Sequence, residues 1–373
     1  MRKIDNPYKI LFSLGIASGI LGVLIWVLFN NQLISFYPKQ AHAQIMFFGF
    51  FWSFVAGFLF TAIPRMTGTH FASSLDVALS SIFVLLQNVI NYTQFYNFSP
   101  FIFILQTFFL LYFIIPRFLE KKKIPFDGFL FFPAAFFMSL LGATLYYYNN
   151  DTRFLFAFTG EAFLTNLIVG LGSRLIPALS RLPNAFMHPG MVVPLKWKSA
   201  LLKVAILNFS FVIEVLNYKE AAYLLRLLVV GYIAINSFGL FKKSSVFSMM
   251  GLGLKVSVLF IIFSYVSKLL LFNDSSVANA HLLYIGGLGL LTLLVATRVT
   301  LSHSQTNLDY ELRSVLIGVM TFSMAMAAML RWASGYGISG GLINFSIILF
   351  TATFLMWLWK HLSLVRSALI QKD

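Results

Sequence analysis

The chain consists of long apolar runs separated by short polar or charged stretches. Twelve runs have about the 20 residues that carry an α-helix across the roughly 30 Å hydrocarbon core of a bilayer. The predicted spans are approximately 9–30, 43–64, 75–95, 99–119, 126–148, 154–177, 198–216, 220–241, 250–272, 279–302, 311–333 and 339–362. The pattern predicts an all-α polytopic membrane bundle of about twelve helices, a single domain over residues 1–373, with no convincing internal repeat.

Composition supports this class of protein. The chain is 59% hydrophobic and 10% charged, whereas a soluble domain has about a quarter of its residues charged. The net charge of +15 is explained by topology, because 18 of the lysines and arginines fall on the side of the N-terminus, including the anchor run Lys121–Lys123. Only Lys39, Arg153, Lys219 and Arg331 fall on the other side. The bias predicts that both termini are cytoplasmic and that the bilayer, not nucleic acid, is the partner.

The absence of cysteine restricts the chemistry. Thiolate ligands, iron–sulfur clusters and cysteine nucleophiles are excluded. A metal or haem must therefore be held by histidine, methionine, tyrosine, carboxylate or backbone groups. There is also no nucleotide-binding glycine loop and no zinc-protease motif.

The six histidines carry most of the information about function. His42 opens the second predicted span and His281 opens the tenth, both at the outer surface, whereas the others lie on or near the cytoplasmic side: His70, His188, His303 and His361. Two histidines at one depth on different helices are suited to hold a haem iron between them. The alternative is that each simply faces the lipid headgroups.

Several other polar or thioether side chains each allow a functional and a structural interpretation. Met46 lies one turn after His42 and is either a thioether ligand for copper or a packing residue. Glu161 lies about 10 Å inside the sixth span and either serves a proton path or cofactor, or makes helix–helix hydrogen bonds. Arg174 and Arg298 lie near the cytoplasmic ends of their spans, where Arg298 could bind an anion or a haem propionate. Both could instead snorkel to the membrane surface, which is the expectation for Arg226, Lys203, Lys255 and Lys268.

Three blocks of sequence resemble the NnrS family. The first is His42-Ala43 with Met46, Phe48-Gly49-Phe50, Gly57 to Arg65, and Gly68. The second is Gly172-Ser173-Arg174-Leu175-Ile176-Pro177, and the third is His281, Gly286 and Gly289 followed by Thr297-Arg298 and His303. The blocks keep the order of the family and span the chain.

The resemblance implies a haem- and copper-containing inner-membrane protein linked to nitric oxide metabolism and nitrosative stress. The implied groups are haem b and copper, with nitric oxide or a related small ligand, a redox partner of unknown identity, and His42, His281, His303 and Met46 as candidate metal ligands. Many relatives carry His-x-His-Glu-Met where this chain has His42 to Met46, so two candidate copper ligands are missing here.

The arrangement is also similar to the catalytic subunit of haem-copper oxidases, which holds its low-spin haem between histidines of the second and tenth helices. The oxidase copper site has no counterpart, since the sixth and seventh spans contain no histidine. Whether this chain is an enzyme is left open. Two other hypotheses remain, a cofactor-free transporter or metal permease and a structural membrane protein.

Overall fold

A computed structural model describes residues 6–120, 127–183, 197–271, 276–304, 309–339 and 341–370. Within these ranges the chain is helical, without strands, and twelve helices have 18 residues or more. They are α1 (Tyr8–Asn30), α2 (Lys39–Thr67), α3 (Ser74–Asn91), α4 (Ser99–Leu119), α5 (Phe131–Asn149), α6 (Thr152–Leu179), α7 (Trp197–Val215), α8 (Lys219–Asn236), α9 (Met249–Leu270), α10 (Val277–His303), α11 (Val315–Ser334) and α12 (Leu342–Ile370). The predicted anchor Lys121–Lys123 and the predicted cytoplasmic His188 lie outside the described residues.

The all-α membrane bundle predicted from the sequence is confirmed. Within the described ranges, ten helices are long and apolar enough to cross a bilayer. The two long helices that do not qualify, α7 and α8, each contain three charged residues. The number of crossings and the side of the termini stay predictions. Below, the outer end means the end of the bundle at which α2, α6 and α10 begin.

The centre of the bundle is formed by α2, α6 and α10. These are the most buried of the candidate spans, and they recur at intervals of four helices. Each contains a π-helix close to its start, at Ile45–Phe51, Leu155–Ala162 and Leu282–Gly289. Because well under 1% of residues in globular proteins are π-helical, three such segments at one level indicate a structural repeat of four helices that the sequence does not display.

The polar side chains of α3 are used for helix packing. Gln87 and Asn91 hydrogen-bond Ser99 at the start of α4, and the Asn88 amide donates to Ser18 Oγ on α1 at 2.8 Å. All three α3 side chains are buried. These hydrogen bonds to neighbouring helices lower the cost of burying the three polar side chains in the bilayer, although the Oδ1 atoms of Asn88 and Asn91 have no hydrogen-bond partner among the described residues.

The topology at α8 can be tested with single cysteines, since the chain has none of its own. Lys219 opens α8 and Lys243 follows its end, and both side chains are exposed. If α8 crosses the bilayer, Lys219→Cys will react with a membrane-impermeant maleimide in intact cells, whereas Lys243→Cys will react only after permeabilisation. The unsubstituted protein is the control, and labelling of both variants from one side would contradict the crossing.

A paired-histidine site at the outer end

His42 and His281 face each other at the outer end of the bundle. Their ring centroids are 6.4 Å apart and their ring planes are 16° from parallel. Both residues lie three residues or fewer before a π-helix, His42 in α2 and His281 in α10. The structure thus brings together two imidazoles that are far apart in sequence.

Hydrogen bonds to backbone carbonyls determine which nitrogen of each ring is available. His42 Nδ1 lies 2.6 Å from the carbonyl oxygen of Gly22 on α1, and His281 Nδ1 lies 2.7 Å from the carbonyl oxygen of Val277, one turn earlier in the same helix. A carbonyl only accepts, so each Nδ1 carries the proton and donates it. Each Nε2 of the neutral ring is then left with a lone pair, and this second-shell pattern is typical of metal-ligating histidine.

The separation of the rings suits a metal held between them. Two metal–imidazole bonds of about 2.0–2.1 Å, with the distance from each nitrogen to its ring centre added, give centroids roughly 6.3 Å apart. The observed 6.4 Å matches this value. His42 and His281 would also be a sufficient pair of protein ligands for a haem iron, because the porphyrin supplies the remaining donors.

Neighbouring side chains fix the start of each helix that presents a histidine. On α2, the Gln44 amide donates to the Tyr146 hydroxyl of α5 at 3.0 Å, and the Gln106 amide of α4 donates to the carbonyl oxygen of Phe48 within the π-helix at 3.0 Å. The start of α10 is held through Asn279, two residues before His281.

Asn279 links the start of α10 to α9 and to the end of α11 through hydrogen bonds. Its Oδ1 accepts hydrogen bonds from Ser267 Oγ of α9, from Trp332 Nε1 near the end of α11, and from the Tyr336 hydroxyl, at 2.7, 3.0 and 2.9 Å. The Ser264 hydroxyl donates to its carbonyl oxygen at 2.9 Å. Asn279 has no distinctive signal in the sequence, since a single asparagine at a helix start is most often a cap.

Met46 packs against α1. A Cβ added to Gly22 would lie 2.7 Å from Met46 Sδ, so the thioether contacts the same glycine that accepts the hydrogen bond from His42 Nδ1. The sulfur therefore lies toward α1. Its assignment as a copper ligand stays a prediction that this contact does not support.

The other predicted cofactor residues lie at the opposite end of the bundle. Arg298 follows His281 by 17 residues, about 25 Å along a helix, and forms an ion pair with the buried Glu311, which also pairs with Arg181 at 3.0 Å. Arg174 is exposed near the end of α6. The structure does not bring either arginine to the paired-histidine site.

His303 is also far from that site, about 33 Å along α10 from His281 by helical rise. Its ring stacks on Tyr8 with centroids 5.5 Å apart. His361 lies beside the same tyrosine, with its Nδ1 2.9 Å from Thr300 Oγ1. His70 is exposed. These residues form no common ligand set with His42.

Glu161 belongs to a buried ion-pair network that joins four helices. Its carboxylate accepts from Arg226 of α8 at 2.9 Å and from Lys268 of α9 at 2.5 Å, and Arg226 also pairs with Glu214 of α7. The Arg226 side chain is fully buried and lies over the Phe211 ring. The expectation that Arg226 and Lys268 snorkel is wrong, because both face the interior, where two carboxylates neutralise them.

The glycines early in α10 serve helix packing. A Cβ on Gly286 would lie 2.5 Å from the Phe260 ring, and one on Gly287 would lie 2.7 Å from Ile261, both on α9. The small residues therefore let α9 and α10 approach closely.

Fold and site together define the class: a multi-pass helical membrane protein with two facing histidines that have the spacing of metal ligands. The family model for NnrS protein matches residues 4–368, and the chain belongs to the NnrS family. No curated protein matches the chain significantly.

The ion-pair network makes Glu161 a stability determinant. Glu161→Gln leaves Lys268 buried without a carboxylate, and breaking a buried pair in this way costs about 3–5 kcal/mol. We expect a marked fall in the midpoint of thermal unfolding in detergent. Glu161→Gln combined with Lys268→Met should recover part of the loss, because the stranded charge is removed.

Asp151→Asn is the matched control, since Asp151 pairs at the same end with Arg153, whose side chain is 51% exposed. That variant should unfold close to the wild type. A Glu161→Gln protein as stable as the Asp151→Asn protein would contradict the assignment.

Proposed function

We propose that this protein is a haem protein of the bacterial inner membrane that binds haem b between His42 and His281 and acts in nitric oxide metabolism or the response to nitrosative stress. The observation that carries the proposal is the pair of near-parallel imidazoles, 6.4 Å between centroids, with both Nδ1 atoms committed to carbonyl oxygens. Family membership supports the biological setting.

The number of converging ligands favours haem over a bare metal ion at this position. Copper and zinc sites in proteins usually have three or four protein ligands. Within the described residues, no group of three or more histidines or carboxylates is placed to hold a metal ion. Two histidines are sufficient for haem, so copper, if the protein binds it, requires a different donor set.

At such a site the protein would orient the two histidine rings and surround them with aromatic side chains. The two Nδ1–carbonyl bonds fix the ring orientation and raise the basicity of each Nε2. The surrounding aromatic side chains include Trp26 beside His42, and Phe47 packed on Tyr284, and they keep the dielectric low. A haem held there supplies one-electron chemistry and, when an axial ligand is displaced, a site for nitric oxide.

The alternative is a cofactor-free transporter or metal permease. It would use Glu161 and the polar residues of α3 as a path, but these side chains are paired with neighbours in the described structure. An absorption spectrum and a metal analysis of the purified protein distinguish the classes. Metal uptake into vesicles by a protein without haem would favour the transporter.

The ligand assignment predicts the effect of two substitutions. The purified wild type should show the Soret and α bands of a low-spin haem, with about one haem per chain. His42→Ala and His281→Ala should each lose the low-spin spectrum, because the iron loses an axial ligand and the haem much of its affinity.

His70→Ala is the control, since His70 is exposed and distant from the pair. Its spectrum should equal that of the wild type. A haem spectrum that survives both His42→Ala and His281→Ala unchanged would rule out this site.

A further inference from the structure

Arg331 lies beside the paired-histidine site, at the depth of His281. Ala328, near the end of α11, lies close to Gly286 of α10, because a Cβ added to Gly286 would lie 3.0 Å from the Cβ of Ala328. A Cβ on Gly335 would lie 2.3 Å from that of Ala278. The two segments are therefore antiparallel, with residues 328 to 335 lying beside residues 286 to 278 of α10, in that order. Arg331 accordingly lies opposite residues 282–283.

The end of α11 cannot easily slide along α10. Trp332 and Tyr336 both donate hydrogen bonds to Asn279 Oδ1, at 3.0 and 2.9 Å. This clamp fixes the height of Arg331 relative to His281. Residues 282–283, opposite Arg331, directly follow His281 in α10, so Arg331 and His281 lie at one level of the bundle.

The guanidinium of Arg331 has no acidic partner among the described residues. It is half-buried, and its side-chain hydrogen bond goes to the neutral Ser334 hydroxyl at 3.3 Å. Three other arginines at buried or half-buried positions are neutralised by carboxylates: Arg226 by Glu161 and Glu214, and Arg181 and Arg298 by Glu311. A partly buried cation beside a ligand site calls for an anion.

We propose that Arg331 binds a propionate carboxylate of the haem held between His42 and His281; this inference rests on the proposed function. The planar guanidinium matches a carboxylate with two parallel hydrogen bonds, the strongest neutral-pH pairing available to such a group. Arg298, which the sequence suggested for this role, is at the far end of α10 and already paired with Glu311.

The pairing has a consequence for the electrochemistry of the iron. Arg331 adds a positive charge near the site and offsets the negative charge of the propionate. Both effects favour the reduced, less positive iron. Removing the guanidinium should therefore lower the midpoint potential and weaken the retention of haem.

The experiment compares Arg331→Gln, Arg331→Lys and Arg153→Gln in the purified haem-loaded protein by redox titration and by transfer of haem to a scavenger. Arg153→Gln removes the same charge from the same end of the bundle, but from an exposed pair with Asp151. Arg331→Gln should lower the potential and speed haem loss about tenfold or more, as expected for a charge-assisted bond. Arg331→Lys should lie between this variant and the wild type, because it keeps the charge and loses the two-pronged geometry.

Reconstitution with haem dimethyl ester, which lacks the carboxylates, separates a propionate from a free anion. The wild type should lose the ester about as fast as Arg331→Gln loses haem, and adding the substitution to the ester form should speed that loss little further. If Arg331→Gln behaves as Arg153→Gln does, or if its effect is undiminished with the ester, the pairing is overturned while the haem site stands. A wild type that binds no haem overturns both.

Discussion

The outer half of this bundle depends on two hydrogen bonds between a histidine ring and a backbone carbonyl. Each places a proton on Nδ1 and leaves the Nε2 lone pair for a ligand. The bond from His281 is contained within its own helix. The bond from His42 crosses to Gly22 of α1, where an added Cβ would meet Met46 Sδ at 2.7 Å. The close approach of α1 and α2 therefore decides the orientation of one of the two rings.

The π-helices explain how three long helices can build such a site. A π-turn is wider than an α-turn and shifts the side chains that follow it around the helix axis. The π-helix begins three residues after His42 in α2 and one residue after His281 in α10, and in α6 it contains Glu161. Side chains from other helices satisfy polar groups at this level, as Gln106 does for the carbonyl oxygen of Phe48. The same level also holds the buried ion pairs of Glu161, so the outer third of the bundle concentrates both rigidity and charge.

Much of the fold could be predicted from the sequence, because membrane spans are encoded in the length of apolar runs. The lengths of the same apolar runs also predicted that α2 starts beside His42 and that α10 starts beside His281. The rotation of a helix about its axis did not follow, since it is set by packing against neighbours. Hence Arg226 and Lys268 were expected at the surface but face Glu161, and Arg298 was considered for a cofactor but pairs with Glu311. From the sequence, Arg331 was interpreted only as one of the topology charges on the outer side. The contacts of Ala328 and Gly335 with α10 are needed to show which part of α10 it faces.

Our central proposal is that two neutral imidazoles with nearly parallel ring planes hold one haem iron between them. Low-temperature electron paramagnetic resonance of the oxidised, purified protein tests it directly, because the signal of low-spin ferric haem reports both the axial ligands and the angle between their ring planes. With planes 16° apart, the account predicts the rhombic low-spin signal of near-parallel bis-imidazole ligation. A high-spin signal from five-coordinate haem, or the strongly axial signal of perpendicular rings, would contradict it.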